Sequence, residues 1–159
     1  MLMELIKKHP DSPPVLIHPP VLFGFGFLAG LALNYWLGLS FGVGDMVKIG
    51  YLFIASGFAL VAWCVWYLRA ADTNIPTNLP TTALVTDGPY RNTRNPIYIA
   101  LAVAFLGLAC LLDAPMALAA LVPVLLVLHV GVVLREERYL TEKFGDAYRA
   151  YFARTKRYF

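Results

Sequence analysis

The chain has 159 residues, of which 59% are hydrophobic and only 14% charged, with a formal net charge of +3. A water-soluble domain is about 45–50% apolar and about 25% charged, so this composition excludes a small water-solvated globule. The modest, unevenly placed positive charge also excludes a nucleic-acid-binding surface.

A hydrocarbon core about 30 Å thick takes about 20 apolar residues in helical form. Met1–Pro14 is polar and proline-bearing. The apolar run behind it is too long for the core of a signal peptide, and no small-residue cleavage site follows, so residues 1–16 read as an N-terminal segment. Ile17–Leu39 is the first span, with Pro19 and Pro20 at its start, where a missing N–H costs little. Gly26 and Gly30 within it form a GxxxG pair that favours close helix packing. Val47–Leu68 is the second span, free of charge after Lys48. Arg69–Asn95 is a polar loop rich in Thr, Asn and Pro, long enough to hint at function. Ile97–Leu112 is a short third span and Met116–Leu134 the fourth, joined by a tight turn at Asp113, Ala114 and Pro115. Pro123 is expected to kink the fourth. In Arg135–Phe159 the positions Tyr139, Leu140, Phe144, Ala147, Tyr148 and Tyr151 recur at three and four residues, the spacing of one face of an interfacial helix.

The expected fold is all-α: one integral-membrane domain over residues 1–159, a bundle of about four transmembrane helices with a cytoplasmic, amphipathic C-terminal helix. Four spans place Lys7, Lys8, Arg69, Arg91, Arg94, Arg135, Arg138, Lys143, Arg149, Arg154, Lys156 and Arg157 on one side and leave Lys48 on the other. By the positive-inside rule that side is the cytoplasm. Both termini and the long loop 69–96 then lie there, and the compact chain points to a prokaryotic inner membrane. Cys64 and Cys110 fall inside apolar runs and read as inert small hydrophobes, with no disulfide or metal site expected.

Two stretches carry chemistry. In Gly88-Pro89-Tyr90-Arg91-Asn92-Thr93-Arg94-Asn95-Pro96-Ile97-Tyr98, two arginines precede a membrane helix that opens at Pro96. Guanidinium groups beside a helix N-terminus suit an anion, although arginines there also anchor a helix to lipid phosphates. In Arg135-Glu136-Glu137-Arg138, adjacent carboxylates need nearby cations, and the flanking arginines are the nearest in sequence. A solvated charged helix face is the plainer reading of the same letters. The third and fourth spans are antiparallel neighbours, so these two stretches are expected to meet on one side of the membrane.

Together the stretches resemble the isoprenylcysteine carboxyl methyltransferase family and its phospholipid methyltransferase relatives. Those carry a segment similar to G-P-[YF]-R-x-x-R-[HN]-P-x-Y, matched by Gly88 to Tyr98. A later segment similar to E-E-x-x-L-x-x-x-F-G-x-x-Y-x-x-Y is matched by Glu136, Glu137, Leu140, Phe144, Gly145, Tyr148 and Tyr151, with Arg157 as the closing basic residue. The resemblance covers about half the chain, from Asn78 to Arg157. It implies S-adenosylmethionine as methyl donor, whose sulfonium carbon is already activated and requires no metal. It also implies a lipid-like or lipidated acceptor, with a carboxylate favoured because the motif supplies no evident base. The residues it implies are Arg94, Arg91 and Glu137 for catalysis, and Tyr90, Asn95, Pro96, Tyr98, Glu136, Glu137 and Tyr148 for holding the cofactor. Many members have His where this chain has Asn95, and Asn is no base at neutral pH. His129, inside the fourth span, is either a substitute or a packing histidine, while His9 and His18 carry no motif. Two other readings share parts of the pattern. A membrane reductase using NADPH, similar to the sterol reductases, has a related R-x-x-R-H-P-x-Y ending. A non-catalytic membrane scaffold would explain the hydropathy but not the gathering of Arg, Glu and Tyr where two helices end.

Overall fold

A computed structural model of the chain describes residues 10–42 and 44–159; Lys7, Lys8 and His9 lie outside the described residues. The described residues are helical, with one isolated bridge and no strand: α1 (Pro19–Leu37), α2 (Met46–Ala70), α3 (Pro89–Asn92), α4 (Pro96–Leu111), α5 (Pro115–Leu128), a π turn (His129–Val133), α6 (Leu134–Phe144) and α7 (Asp146–Arg154). Among the described residues, three helical stretches are long and apolar enough to cross a membrane: Pro19–Leu37, Met46–Ala70 and Pro115–Phe144. The fourth apolar helix, α4, has 16 residues and spans about 24 Å. The protein is a small integral-membrane helical bundle. Its apolar helices fall within two residues of the expected spans, except that the last helix continues past residue 134 through the π turn into α6.

The chain groups into two compact units: Met1–His18, Ala62–Pro96 and His129–Phe159 form one, Pro19–Val61 and Ile97–Leu128 the other. The second unit is built on small residues, which let helices approach closely where lipid offers no hydrophobic drive. A Cβ added to Gly30 of α1 would lie 2.7 Å from Ala117 Cα of α5, and one added to Gly50 of α2 would lie 2.8 Å from Gly107 O of α4. Ala109, Ala114 and Ala117 are fully buried under Phe27, Leu31 and Leu118. Phe105 receives Phe23 and Phe27 edge-on at 6.2 and 5.1 Å. Buried Asn34 in α1 stays satisfied by accepting from Met116 N at 3.0 Å, at the open end of α5, and donating to Leu39 O at 3.0 Å. The Asp113 turn forms as expected, and its carboxylate accepts from Ser40 Oγ and from Phe41 N. Pro123 lies inside α5.

The first unit holds the polar segments. Gly88 starts α3 with φ +57° beneath the Tyr67 ring, where any side chain would meet both backbone strain and the aromatic. The long loop is tied down locally: Thr73 Oγ1 accepts from Thr82 N and Ala83 N at 3.1 and 3.2 Å. The π turn places Gly131 under Leu16, whose N–H donates to Gly131 O at 3.0 Å. Residues 11–16 thereby form a strap along α6, fixed further by Arg135 Nη1 donating to Pro14 O and by the Lys143–Asp11 ion pair. One C-terminal helix was expected from the periodicity. Two are present, because Gly145, at φ +53°, ends α6 and starts α7.

Candidate functional site

The site grows from a short extended stretch and a tail. After α3, Thr93 leaves the helix with an extended backbone and pairs with Lys156 as an isolated parallel bridge. Arg94 N donates to Lys156 O at 2.9 Å. Thr93 Oγ1 and Asn95 Nδ2 both donate to Arg157 O, at 2.9 and 3.0 Å. These bonds hold the tail behind α7 against the residues that precede α4.

That juxtaposition closes around Glu137 of α6. Arg94 Nε and Nη2 donate to Glu137 Oε1 at 3.1 and 2.9 Å. Arg157 Nε donates to both carboxylate oxygens at 3.0 and 3.2 Å, and its Nη2 to Oε2 at 2.8 Å. Arg94 Nη1 donates to the carbonyls of Phe152, at 3.1 Å, and Thr155, and its guanidinium lies 3.9 Å from the Phe152 ring centroid. Arg94 and Glu137 are buried and Arg157 is one-third exposed. Two cations around one carboxylate leave a net charge of +1. Burial works to raise the Glu137 pKa, but the hydrogen bonds from Arg157 and Arg94 outweigh it and hold the carboxyl below its ordinary range.

Tyrosines form the rest of the floor. Tyr148 is fully buried, edge-on to Tyr151 at 6.0 Å. Tyr151 Oη donates to Tyr90 O at 2.7 Å, linking α7 to α3. Burial raises all three phenols: Tyr90 and Tyr148 far above the ordinary range, and Tyr151 up to about 12. They are neutral rings at physiological pH, not proton acceptors. His129 Nδ1 and Tyr158 Oη share a hydrogen bond of 2.9 Å, so the π turn also grips the tail. A recess lined by Thr141, Arg149 and Phe152 opens beside the ring that carries Arg94.

Of the residues singled out in the sequence, Arg94, Asn95, Glu137, Tyr90 and Tyr148 thus come together in this unit, with Pro96 fully buried at the start of α4. Glu136 is half-buried beside them. Arg91 is exposed and makes no ion pair among the described residues. Tyr98 is buried in the second unit. One expectation is corrected. The cations that balance the acidic pair's Glu137 are not the adjacent Arg135 and Arg138 but Arg94 and Arg157. Neighbours on a helix point about 100° apart, so a buried Glu137 leaves Arg138 in solvent, while Arg135 turns to Pro14 O. Asn95 also finds an account: it serves as an N–H donor to the tail, which a histidine Nδ1–H, attached at the same Cγ, would also provide. Sequence reasoning missed Thr93, Thr155 and Tyr158, which act through backbone pairing and bridging that no local pattern announces.

A model of the phospholipid methyltransferase family matches residues 46–147, more than half of the chain. The cobalt-zinc-cadmium resistance protein CzcN of Cupriavidus metallidurans is 25% identical over 114 residues, 72% of this chain and 49% of that protein. The chain spans about half the length of this curated relative.

Proposed function

The chain belongs to the phospholipid methyltransferase family, and from that membership we propose that it is a membrane methyltransferase moving the methyl group of S-adenosylmethionine to a lipid-like or lipidated acceptor. The observation that carries the reading is the meeting of the two motif-bearing segments in one buried ion cluster, Arg94–Glu137–Arg157. A scaffold has no need to spend three charged side chains there.

The residues present fit the cofactor. Its aminoacyl end carries a carboxylate, and the cluster offers the guanidinium N–H groups of one-third-exposed Arg157. Its adenine and sulfonium suit aromatic faces, which Phe152, exposed beside Arg94, and half-buried Tyr158 supply. When bound, S-adenosylmethionine supplies a methyl carbon already activated for displacement. The protein's share is alignment and exclusion of water. Thr93 and Asn95 hold the tail, the tail holds Arg157, and Arg94 locks Glu137 in place.

The tyrosines and Glu137 supply no free base, which favours a carboxylate acceptor. Tyr90, Tyr148 and Tyr151 are kept protonated by burial, and Glu137 is kept ionised and fully occupied by arginines. A carboxylate is nucleophilic without losing a proton, whereas a lipid ammonium needs a base first. We place the site and both termini on the cytoplasmic side, as the distribution of basic residues supports. Cysteines introduced at Asn74 and Lys156 should then react with an impermeant thiol reagent from that side only.

The direct test incubates purified protein with isotope-labelled S-adenosylmethionine and two acceptor sets, prenylated or acylated carboxylic acids and phosphatidylethanolamine, read by mass spectrometry. Label on the acids supports the full reading. Label on the phospholipid amine keeps the methyltransferase and removes the carboxylate. Binding of NADPH in place of S-adenosylmethionine, or of neither, ends it.

A further inference from the structure

The two guanidinium groups around Glu137 are not equivalent. Arg94 has every nitrogen engaged: Nε and Nη2 on the carboxylate, Nη1 on the Phe152 and Thr155 carbonyls, and one face on the Phe152 ring. Its side chain is 7% exposed. No ligand reaches it without breaking the fold of the site. Arg157 presents only its Nε/Nη2 edge to Glu137, and its Nη1 has no partner among the described residues. Its side chain is 33% exposed, while its backbone carbonyl is pinned by Thr93 and Asn95.

A guanidinium offers two usable edges for fork-like pairing with planar anions. In Arg157 one edge is spent on Glu137, which fixes the plane, and the Nη1/Nη2 edge remains available. The ordering cost of a long side chain is thus already met before any ligand arrives. Among the described residues Arg91 makes no ion pair, so nothing there fixes its side chain in this way.

We propose that Arg157 is the anion-binding residue of the site, receiving a carboxylate or phosphate oxygen pair on its free edge, and that Arg94 is a positioning residue. The proposal rests on the methyltransferase reading. It transfers to the tail, outside the matched residues 46–147, a role that the sequence reading gives to Arg91 or Arg94. The anion has two possible sources, the aminoacyl carboxylate of the cofactor and the anionic head of the acceptor.

Calorimetric titration separates them. Wild type, Arg157→Gln and Arg157→Lys are titrated with S-adenosylhomocysteine and with its decarboxylated analogue, and acceptor KM is measured in parallel. If the cofactor supplies the anion, wild type prefers S-adenosylhomocysteine over the analogue by ~10-fold or more, and both variants lose that preference. If the acceptor supplies it, cofactor affinity is unchanged and acceptor KM rises ~10-fold. Arg157→Lys keeps a cation beside Glu137 without the fork, so its loss of discrimination in a folded sample assigns the effect to geometry. A measurement on wild type alone guards against misfolded variants. S-adenosylhomocysteine or the acceptor should shield Arg157 from an arginine-specific dicarbonyl reagent, as located by peptide mass spectrometry. Unchanged affinities and KM, with no shielding, overturn the proposal while leaving the methyltransferase intact. Failure of wild type to bind either cofactor form removes the reading on which it rests.

Discussion

Replacing Glu137 by glutamine keeps the shape of the side chain and removes its charge. In the folded protein the carboxylate accepts five N–H contacts, three on Oε1 and two on Oε2. A glutamine can turn its oxygen to Arg94, but its NH2 then faces Arg157 donor to donor. Breaking a buried ion pair by removing one partner costs about 3–5 kcal/mol. Arg94 is buried and keeps an acceptor, whereas Arg157 is one-third exposed and recovers part of its loss from water. The expected cost therefore falls to about 2–3 kcal/mol, near that of one or two charge-assisted hydrogen bonds. Because the tail hangs on this cluster, the loss should be local before it is global. The assay pairs equilibrium unfolding in detergent with hydrogen exchange over residues 93–95 and 155–158. Glu137→Gln should lower the unfolding free energy by that amount and speed exchange in both stretches together. A change below ~0.5 kcal/mol, or faster exchange in only one stretch, would refute the view that Glu137 ties them.

Acid should reproduce the same loss. The Glu137 carboxyl titrates below its ordinary value of 4.5 in the folded protein, so its contribution is complete above 4.5 and disappears as pH falls through the depressed folded-state value. Glu137→Gln should flatten that limb of a stability–pH curve, and an unaltered curve would assign the acid loss to other groups. In the second unit, Gly30→Val puts a Cβ 2.7 Å from Ala117 Cα and 2.8 Å from Ala120 Cβ. Overpacking of this kind costs about 1–3 kcal/mol. Gly24→Val, with nothing within 4 Å, should cost far less by the same unfolding assay, and equal losses would deny the close α1–α5 approach.

What the sequence showed and what it hid divide along a physical line. The apolar helices were legible because hydropathy is a one-dimensional signal: a span over Val47–Leu68 was expected and a helix over Met46–Ala70 is present. The close packing at Gly30 was legible from small-residue spacing. Arg94 and Glu137 were legible as a motif, but their partnership was not, since 43 residues separate them in the chain. Proximity in sequence pointed instead to Arg135 and Arg138. Gly145 split the C-terminal helix because its backbone lies at positive φ, which side-chain periodicity does not register. The π turn at His129–Val133 left no trace in a run of Val and Gly that reads equally well as α-helix.

That π turn has a consequence for how the protein tolerates change. A π turn carries about one residue more than an α turn for the same rotation, so it absorbs one residue without changing the helical phase beyond it. Deleting a single residue from 129–133 would therefore restore ordinary winding and leave Glu137 facing Arg94 and Arg157. Return to α winding without a deletion would instead bring Glu136, the other acid of the pair, round to that position. The stretch is thus a place where the chain can lose a residue and still keep a carboxylate between the two arginines.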